Sequence, residues 1–209
     1  MMTEKLQDPA ADIAWMRRLA EEGHRAPMQG ASILFGAGLI FGAAAVFHWA
    51  VASGLTGFDM SAVNYSWIGA TLLFFVLLIV AIRALKRAGG VETSANRASG
   101  TAWAAVGWGI FALFASMAAL SWKLGGDSAL VAFALMPSVI MVFYGSGWAV
   151  SAAMQRSRSL WMLAIASFAA APLLALLTGS AEQYLAYGAA LFLLMALPGF
   201  LLMRAAKQA

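Results

Sequence analysis

Residues 60–82, MSAVNYSWIGATLLFFVLLIVAI, decide the fold because they contain no Asp, Glu, Lys or Arg. A helix of about 20 apolar residues is long enough to cross the roughly 30 Å hydrocarbon core of a bilayer. The run is followed by Arg83, Lys86 and Arg87, basic side chains that suit the headgroup layer at the end of a span. The stretch therefore predicts a transmembrane helix.

Five further windows are equally free of charged residues: 26–58, 98–122, 128–155, 159–181 and 183–203. Each is a continuous apolar run, which favours a helix over the short alternating segments of a transmembrane β-barrel. The chain is 63% hydrophobic and 11% charged, whereas about a quarter of the residues of a soluble domain are charged. We therefore predict an all-α polytopic integral membrane protein with six transmembrane helices.

The predicted spans divide the chain into three parts. We expect residues 1–27 to form a cytoplasmic N-terminal segment, 28–204 a six-helix transmembrane domain, and 205–209 a cytoplasmic tail. The spans are predicted at about 30–53, 65–85, 101–122, 128–152, 159–178 and 182–203. Because the first apolar run is too long for the core of a signal peptide, we expect no cleaved leader.

Lys and Arg fall almost entirely on one side of the predicted bilayer. Of the 13 basic residues, Lys123 alone lies in a loop on the side away from the termini. Since cytoplasmic loops carry the excess of basic residues, we predict that both termini are cytoplasmic. The short loops and the absence of cysteine favour a bacterial inner (plasma) membrane.

A short amphipathic helix is predicted before the first span. Asp8 followed by Pro9 has the pattern of a helix cap and a proline at the first helical position. Ile13, Met16 and Leu19 then fall on one helical face. We expect this helix to lie on the cytoplasmic membrane surface, and the alternative is that it docks onto a soluble partner.

The connection between the fifth and sixth spans predicts a tight hairpin. Thr178, Gly179 and Ser180 leave little room between the two apolar runs, so these helices should be antiparallel neighbours. Ser180 and Gln183 also have the spacing of a capping box, in which each side chain would bond the other residue's backbone.

Spans four to six carry Pro137, Pro172 and Pro198, one in each. A proline frees a backbone carbonyl and permits a kink, so these helices could enclose a cavity, although prolines also occur in spans for packing alone. His48 lies inside the first span and is either a wetted interfacial side chain or a proton-sensing or ligand-contacting one. The predicted cavity or ligand contacts are His48, Ser138, Tyr144 and Ser146.

Gly38 and Gly42 lie one helical turn apart in the first span. Small residues at this spacing let two helix backbones approach closely, which drives helix packing in lipid. The pair predicts either intramolecular packing or the interface of a homodimer.

Basic side chains should form a rim at the cytoplasmic face. Anionic lipid is the expected partner of Arg83, Lys86, Arg87, Arg156 and Arg158. An acidic protein or a phosphate-bearing ligand is the alternative, although the sequence contains no P-loop and no dinucleotide-binding fingerprint. We expect no nucleic acid partner because the basic residues sit beside apolar spans.

The residues that carry most enzyme chemistry are scarce. There is no cysteine, there are two histidines, and the carboxylates are scattered outside the apolar windows. We therefore predict no catalytic, cofactor-binding or metal-binding residue and no cofactor. The first functional hypothesis is a non-enzymatic scaffold or regulatory membrane subunit, working as a homo-oligomer or with a protein partner. The alternative is a small permease or channel-like transporter, and the third is a lipid-acting membrane enzyme.

Overall fold

The computed structural model describes residues 13–14, 30–88, 93–124 and 133–208, and these ranges are almost entirely helical, without a strand. The helices are α1 (Ala31–Ala52), α2 (Ser61–Ala88), α3 (Ser94–Leu124), α4 (Met136–Gln155), α5 (Arg158–Leu176), α6 (Glu182–Leu191) and α7 (Leu197–Ala206). A π-helical turn, Phe192–Ala196, joins α6 to α7. The predicted amphipathic N-terminal helix lies outside the described residues, apart from Ile13 and Ala14.

In this part of the chain six helical stretches are long and apolar enough to cross a membrane, the last being Glu182–Ala206. The prediction of an all-helical chain with six such helices is confirmed, and the six helices indicate a membrane-spanning protein. α2 and α3 are longer than the predicted spans 65–85 and 101–122.

Polar residues cap the beginnings of these two long helices. The Asp59 carboxylate accepts a hydrogen bond of 2.7 Å from the backbone N–H of Ser61. The Thr93 hydroxyl accepts one of 3.2 Å from the backbone N–H of Asn96. Because a cap satisfies N–H groups that have no partner within the helix, each helix can begin before its apolar stretch does.

The helices divide into a central group and two peripheral ones. α1, α4, α5 and the last span form the centre, while α2 packs mainly against α1 and α3 mainly against α4. In the most apolar 18 residues of each helix, 61% are buried in α4 but only 6% in α3 and none in α2. α2 and α3 therefore present most of their surface to whatever surrounds the bundle.

Aromatic contacts fix the direction of α2 relative to α1. The rings of Phe41 and Phe74 lie 5.3 Å apart, and one to two turns further along α1 the side chain of His48 contacts Trp67. From Phe41 to His48 the residue numbers rise along α1, while their contacts on α2 fall from Phe74 to Trp67. The two helices are therefore antiparallel.

The centre of the bundle is built around Trp148. This side chain is fully buried, together with Met141, Leu191 and Met195. The ring of Trp103, from α3, meets it edge to face with ring centres 5.0 Å apart. Such aromatic pairs add to the dispersion attraction that holds helices together in lipid.

The last span keeps its backbone satisfied despite Pro198. Proline has no N–H, so the carbonyl of Leu194, four residues earlier, cannot form its normal helical hydrogen bond. The indole N–H of Trp148 donates to this carbonyl at 3.0 Å. The proline and the π-helical turn are thus accommodated by a bond from α4.

Gln183 joins three helices rather than forming the predicted capping box. Its buried side-chain amide donates to the carbonyl of Ala134 at 2.7 Å and to that of Leu174 at 3.1 Å. The Ser180 hydroxyl instead donates to the carbonyl of Leu177. The amide therefore ties the beginning of α6 to the end of α5 and to the residues just before α4.

Candidate functional site

His48 lies at the end of α1 that faces the connection to α2, and it is buried. Its Nδ1 accepts a hydrogen bond of 3.3 Å from the indole N–H of Trp67 on α2. Its ring stacks on that of Tyr184 on α6, with an angle of 27° between the planes. An accepting Nδ1 belongs to the neutral imidazole, so in this arrangement His48 links three helices as an uncharged side chain.

Ser138 lies at the interface of α4 and α5. Its hydroxyl donates to the carbonyl of Ala171, the residue before Pro172. Both Ser138 and Ala171 are buried. The hydroxyl is therefore occupied in joining two helices.

Tyr144 and Ser146 are two residues apart and point in different directions. Tyr144 is buried in the core, with its ring 6.1 Å from that of Trp103. Ser146 is exposed and donates to the carbonyl of Val142 in its own helix at 2.9 Å. The structure therefore does not bring these two side chains into one site.

Large rings cover the glycines beside Tyr144. A Cβ atom at Gly145 would lie 2.7 Å from the ring of Phe168, and one at Gly147 would lie 3.2 Å from the ring of Trp103. The two glycines thus provide the space into which aromatic side chains from α5 and α3 pack. The four predicted cavity contacts are distributed over the bundle instead of lining a common space.

Gly38 and Gly42 both face the last span. A Cβ atom at Gly38 would lie 2.8 Å from the Cα of Ala196, and one at Gly42 would lie 2.8 Å from the ring of Phe192. In the structure these glycines are used for close contact between two helices of the same chain.

The predicted basic rim falls on helix ends. Arg83, Lys86 and Arg87 are exposed in the last turns of α2, and Arg156 and Arg158 are exposed where α4 passes to α5. Arg156 has a left-handed backbone with φ of 50°, which ends α4 and allows the chain to reverse. These exposed side chains lie at the end of the bundle where α1 begins.

Two features of the structure were missed by the sequence predictions. The first is a shallow open groove of about 500 Å³ between α1 and α2. The second is a row of exposed, mostly small residues along α3. We call this row the α3 face: Gly100, Ala104, Gly107, Phe111, Ala115 and Ala118. The helical spacing of its small residues was visible in the sequence, but which face of α3 packs on α4 was not.

Within the described ranges no three His, Asp or Glu side chains come close enough together to hold a metal ion. His48 has Trp67 and Tyr184 as its close aromatic neighbours, and Asp59 is engaged in capping α2. The contacts that the described residues make are those of helix packing.

No protein-family model, curated protein or solved structure matches the chain.

Proposed function

We propose that this chain is a non-enzymatic scaffold or regulatory subunit of the inner (plasma) membrane, and that it holds a partner helix against α3. Six helices cross the bilayer in this proposal, with both termini in the cytoplasm and an amphipathic helix of the N-terminal segment on the cytoplasmic surface. The exposed and mostly small side chains of the α3 face are the observation that carries it.

The α3 face contrasts with the exposed side of α2. Large apolar side chains cover α2 along one face, which we call the α2 face: Tyr65, Ile68, Leu72, Phe75, Ile79 and Ile82. On α3, by contrast, Gly100 and Gly107 have no atom within 4 Å of the position a Cβ would take. The two helices are similarly exposed, but α2 has one such open glycine, Gly69, among large side chains, whereas α3 has two within a row of mostly small ones.

Small residues have a specific effect in lipid. Hydrocarbon is as apolar as a leucine side chain, so the hydrophobic effect does not drive helices together there. Association depends on van der Waals contact and hydrogen bonds, which become strong where small residues let two backbones approach. The α3 face therefore suits a second helix, and the α2 face suits acyl chains.

The packing of the centre supports this function over the permease alternative. Ser138 and Gln183 are buried polar side chains of the kind that could line a pathway, but each bonds a backbone carbonyl of a neighbouring helix. The Leu194 carbonyl, freed by Pro198, is bonded by Trp148. A lipid-acting enzyme would need reactive groups that converge, and the described residues bring together no such set.

The proposal includes lipid partners at the cytoplasmic face. The exposed Arg83, Lys86 and Arg87, with Arg156 and Arg158, would contact anionic headgroups. The partner of α3 is either a second copy of this chain or another membrane protein.

Photo-crosslinking in the native membrane tests the role of α3. A photoreactive amino acid is placed at Ala104 or Phe111 on the α3 face, and at Ile68 or Ile79 on the α2 face as the matched control. We expect protein adducts from the α3 positions and lipid adducts from the α2 positions. Two differently tagged copies distinguish a homodimer from another partner. Lipid adducts alone at all four positions would exclude the proposed docking role.

The orientation can be tested separately because the chain has no cysteine. A cysteine introduced at Thr56 or Gly179 should react with an impermeant thiol reagent added outside the cell. A cysteine at Ser94 or Ser157 should react only after the membrane is opened. The reverse pattern would overturn the proposed topology and leave the role of α3 to be judged by crosslinking.

A further inference from the structure

The groove between α1 and α2 has a floor of small side chains and walls of large ones. Ala44 and Ala70 are buried at its floor, and Leu39, Phe47 and Leu73 form its sides. It arises because alanines face each other where larger residues would fill the space between the helices. Its volume of about 500 Å³ lies within the roughly 300–1,000 Å³ typical of small-molecule sites.

The groove covers only part of each helix. On α1 it runs from Leu39, just before the middle of the helix, to Phe47, and on α2 from Ser66 to Leu73, in the half nearer the α1–α2 connection. At 1.5 Å per residue its length is about 12 Å. Half of a 30 Å hydrocarbon core is about 15 Å, so the groove is as long as one leaflet is deep.

We propose that this groove binds one acyl chain of a phospholipid from the leaflet on the side of the α1–α2 connection. A helix from a second protein would run the whole length of α1 and α2, whereas the groove ends near their middle. An acyl chain ends at the bilayer midplane, and it is the apolar group that already surrounds both helices. The inference rests on the chain spanning a membrane and is independent of the role proposed for α3.

The outer end of the groove has features that suit the polar part of the lipid. Ser66 brings a hydroxyl to this end, and Phe58 from the connection packs on Phe47 with ring centres 5.9 Å apart. An ester carbonyl at this level could accept a hydrogen bond from the Ser66 hydroxyl.

The test uses the purified full chain in phosphatidylcholine nanodiscs that contain a small fraction of phosphatidylcholine with a photoreactive diazirine midway along one acyl chain. After illumination, adducts are located by peptide mass spectrometry. Leu73 is compared with Ile165 and Leu193, which are exposed near the middle of other spans. We expect about fivefold more adduct at the groove, the ratio that a modest binding preference produces. Adduct yields that depend only on the exposed fraction of each side chain would indicate contact with bulk lipid and would overturn the proposal.

Two variants fill the groove from different sides. Ala70→Leu occupies its floor, and Ala43→Leu places the added atoms on its exposed edge, where the fold is less at risk. Each should bring the adduct at Leu73 down to the yield at Ile165, while Ala169→Leu, on the exposed surface of α5, should leave it unchanged. Retention of the enrichment in a folded Ala43→Leu protein contradicts the proposal. So does a crosslinked protein dimer obtained from a photoreactive residue at position 43.

Discussion

α2 and α3 are both peripheral helices, each packed mainly on one neighbour, yet their exposed faces differ. Leu, Ile and Phe side chains cover α2, while α3 exposes Gly100 and Gly107 with open space around them. Both faces are apolar, so hydropathy alone does not distinguish them. The difference lies in how closely another helix could approach, which is the property that decides association in lipid.

The comparison requires α2 and α3 to be peripheral helices. A glycine-to-alanine substitution, made once in the centre of the bundle and once on α2, tests this for α2 and has the largest expected effect on stability. Gly38→Ala should destabilise the protein by about 1–3 kcal/mol, because the added Cβ would lie 2.8 Å from the backbone Cα of Ala196. Gly69→Ala, on α2, meets no atom within 4 Å and should stabilise its helix by up to about 1 kcal/mol. Thermal unfolding in a mild detergent measures both.

The two alanine variants should therefore shift the unfolding temperature in opposite directions. If Gly69→Ala were as damaging as Gly38→Ala, α2 would be part of the tightly packed centre. The proposed contrast between a lipid-facing α2 and a partner-facing α3 would then lose its basis.

A tryptophan pair makes the same comparison for α3. Trp148→Phe keeps an aromatic ring in the core but removes the N–H that donates to the Leu194 carbonyl, which Pro198 leaves without a helical donor. We expect a loss of about 1–3 kcal/mol, the cost of a buried unsatisfied polar group. Trp108→Phe, at a side chain that is 72% exposed, should change the stability by less than about 0.5 kcal/mol. Equal losses in unfolding experiments would place Trp108 in a packed interface within the chain.

Much of this architecture could be predicted from the sequence, because the length and apolarity of each span are local properties. The way in which the last span accommodates Pro198 could not be predicted. It depends on Trp148, which lies 46 positions before Leu194, the residue whose carbonyl it bonds. The surroundings of Tyr144 and Ser146 could not be predicted for a similar reason. The sequence shows Gly145 and Gly147 beside these residues, but only the packed structure shows that the rings of Phe168 and Trp103 cover those glycines.

Gln183 shows how a local pattern can be overridden. Its spacing from Ser180 is that of a capping box, a bond between near neighbours. In the structure its amide reaches the carbonyls of Ala134 and Leu174 instead. A buried side-chain amide in a membrane bundle needs hydrogen-bond partners, and these two carbonyls supply them.

A smaller effect is expected from a direct comparison of how the two exposed faces contribute to association. Gly107→Leu on the α3 face and Gly69→Leu on α2 both place a large side chain where no atom lies within 4 Å. Neither should lower the stability of the isolated protein. Only Gly107→Leu should weaken association with the partner of α3, by about tenfold if it removes roughly 1.4 kcal/mol of contact. Association is measured from the yield of the Phe111 photo-adduct in native membranes.

The same loss of adduct in both leucine variants would indicate a general disturbance of the bundle. No loss in either variant would show that the open backbone of α3 does not contribute to docking.

The smallest expected effect concerns the first turns of α2 and α3, because the side chains that cap them respond differently to pH. Hydrogen bonds donated by Ser61, from its hydroxyl and its backbone N–H, hold the pKa of the Asp59 carboxyl below its usual range. A lowered pKa means that the folded protein binds this proton more weakly than the unfolded chain. The cap is therefore stabilising at neutral pH, its contribution weakens as the pH falls below about 4, and it is lost as the pH falls through the lowered pKa. Thr93, which caps α3, does not titrate in this range.

Acidification should therefore loosen the first turn of α2 and leave that of α3 unchanged. The measurement is amide hydrogen exchange at residues 61–63 and 96–98 in detergent, corrected for the intrinsic effect of pH on exchange. Asp59→Asn provides the control, since its side chain still accepts a hydrogen bond but no longer titrates, and it should abolish the pH dependence at α2. If both first turns loosened together, the cause would be a change in the whole bundle, because protonation of Asp59 can reach only the helix that it caps.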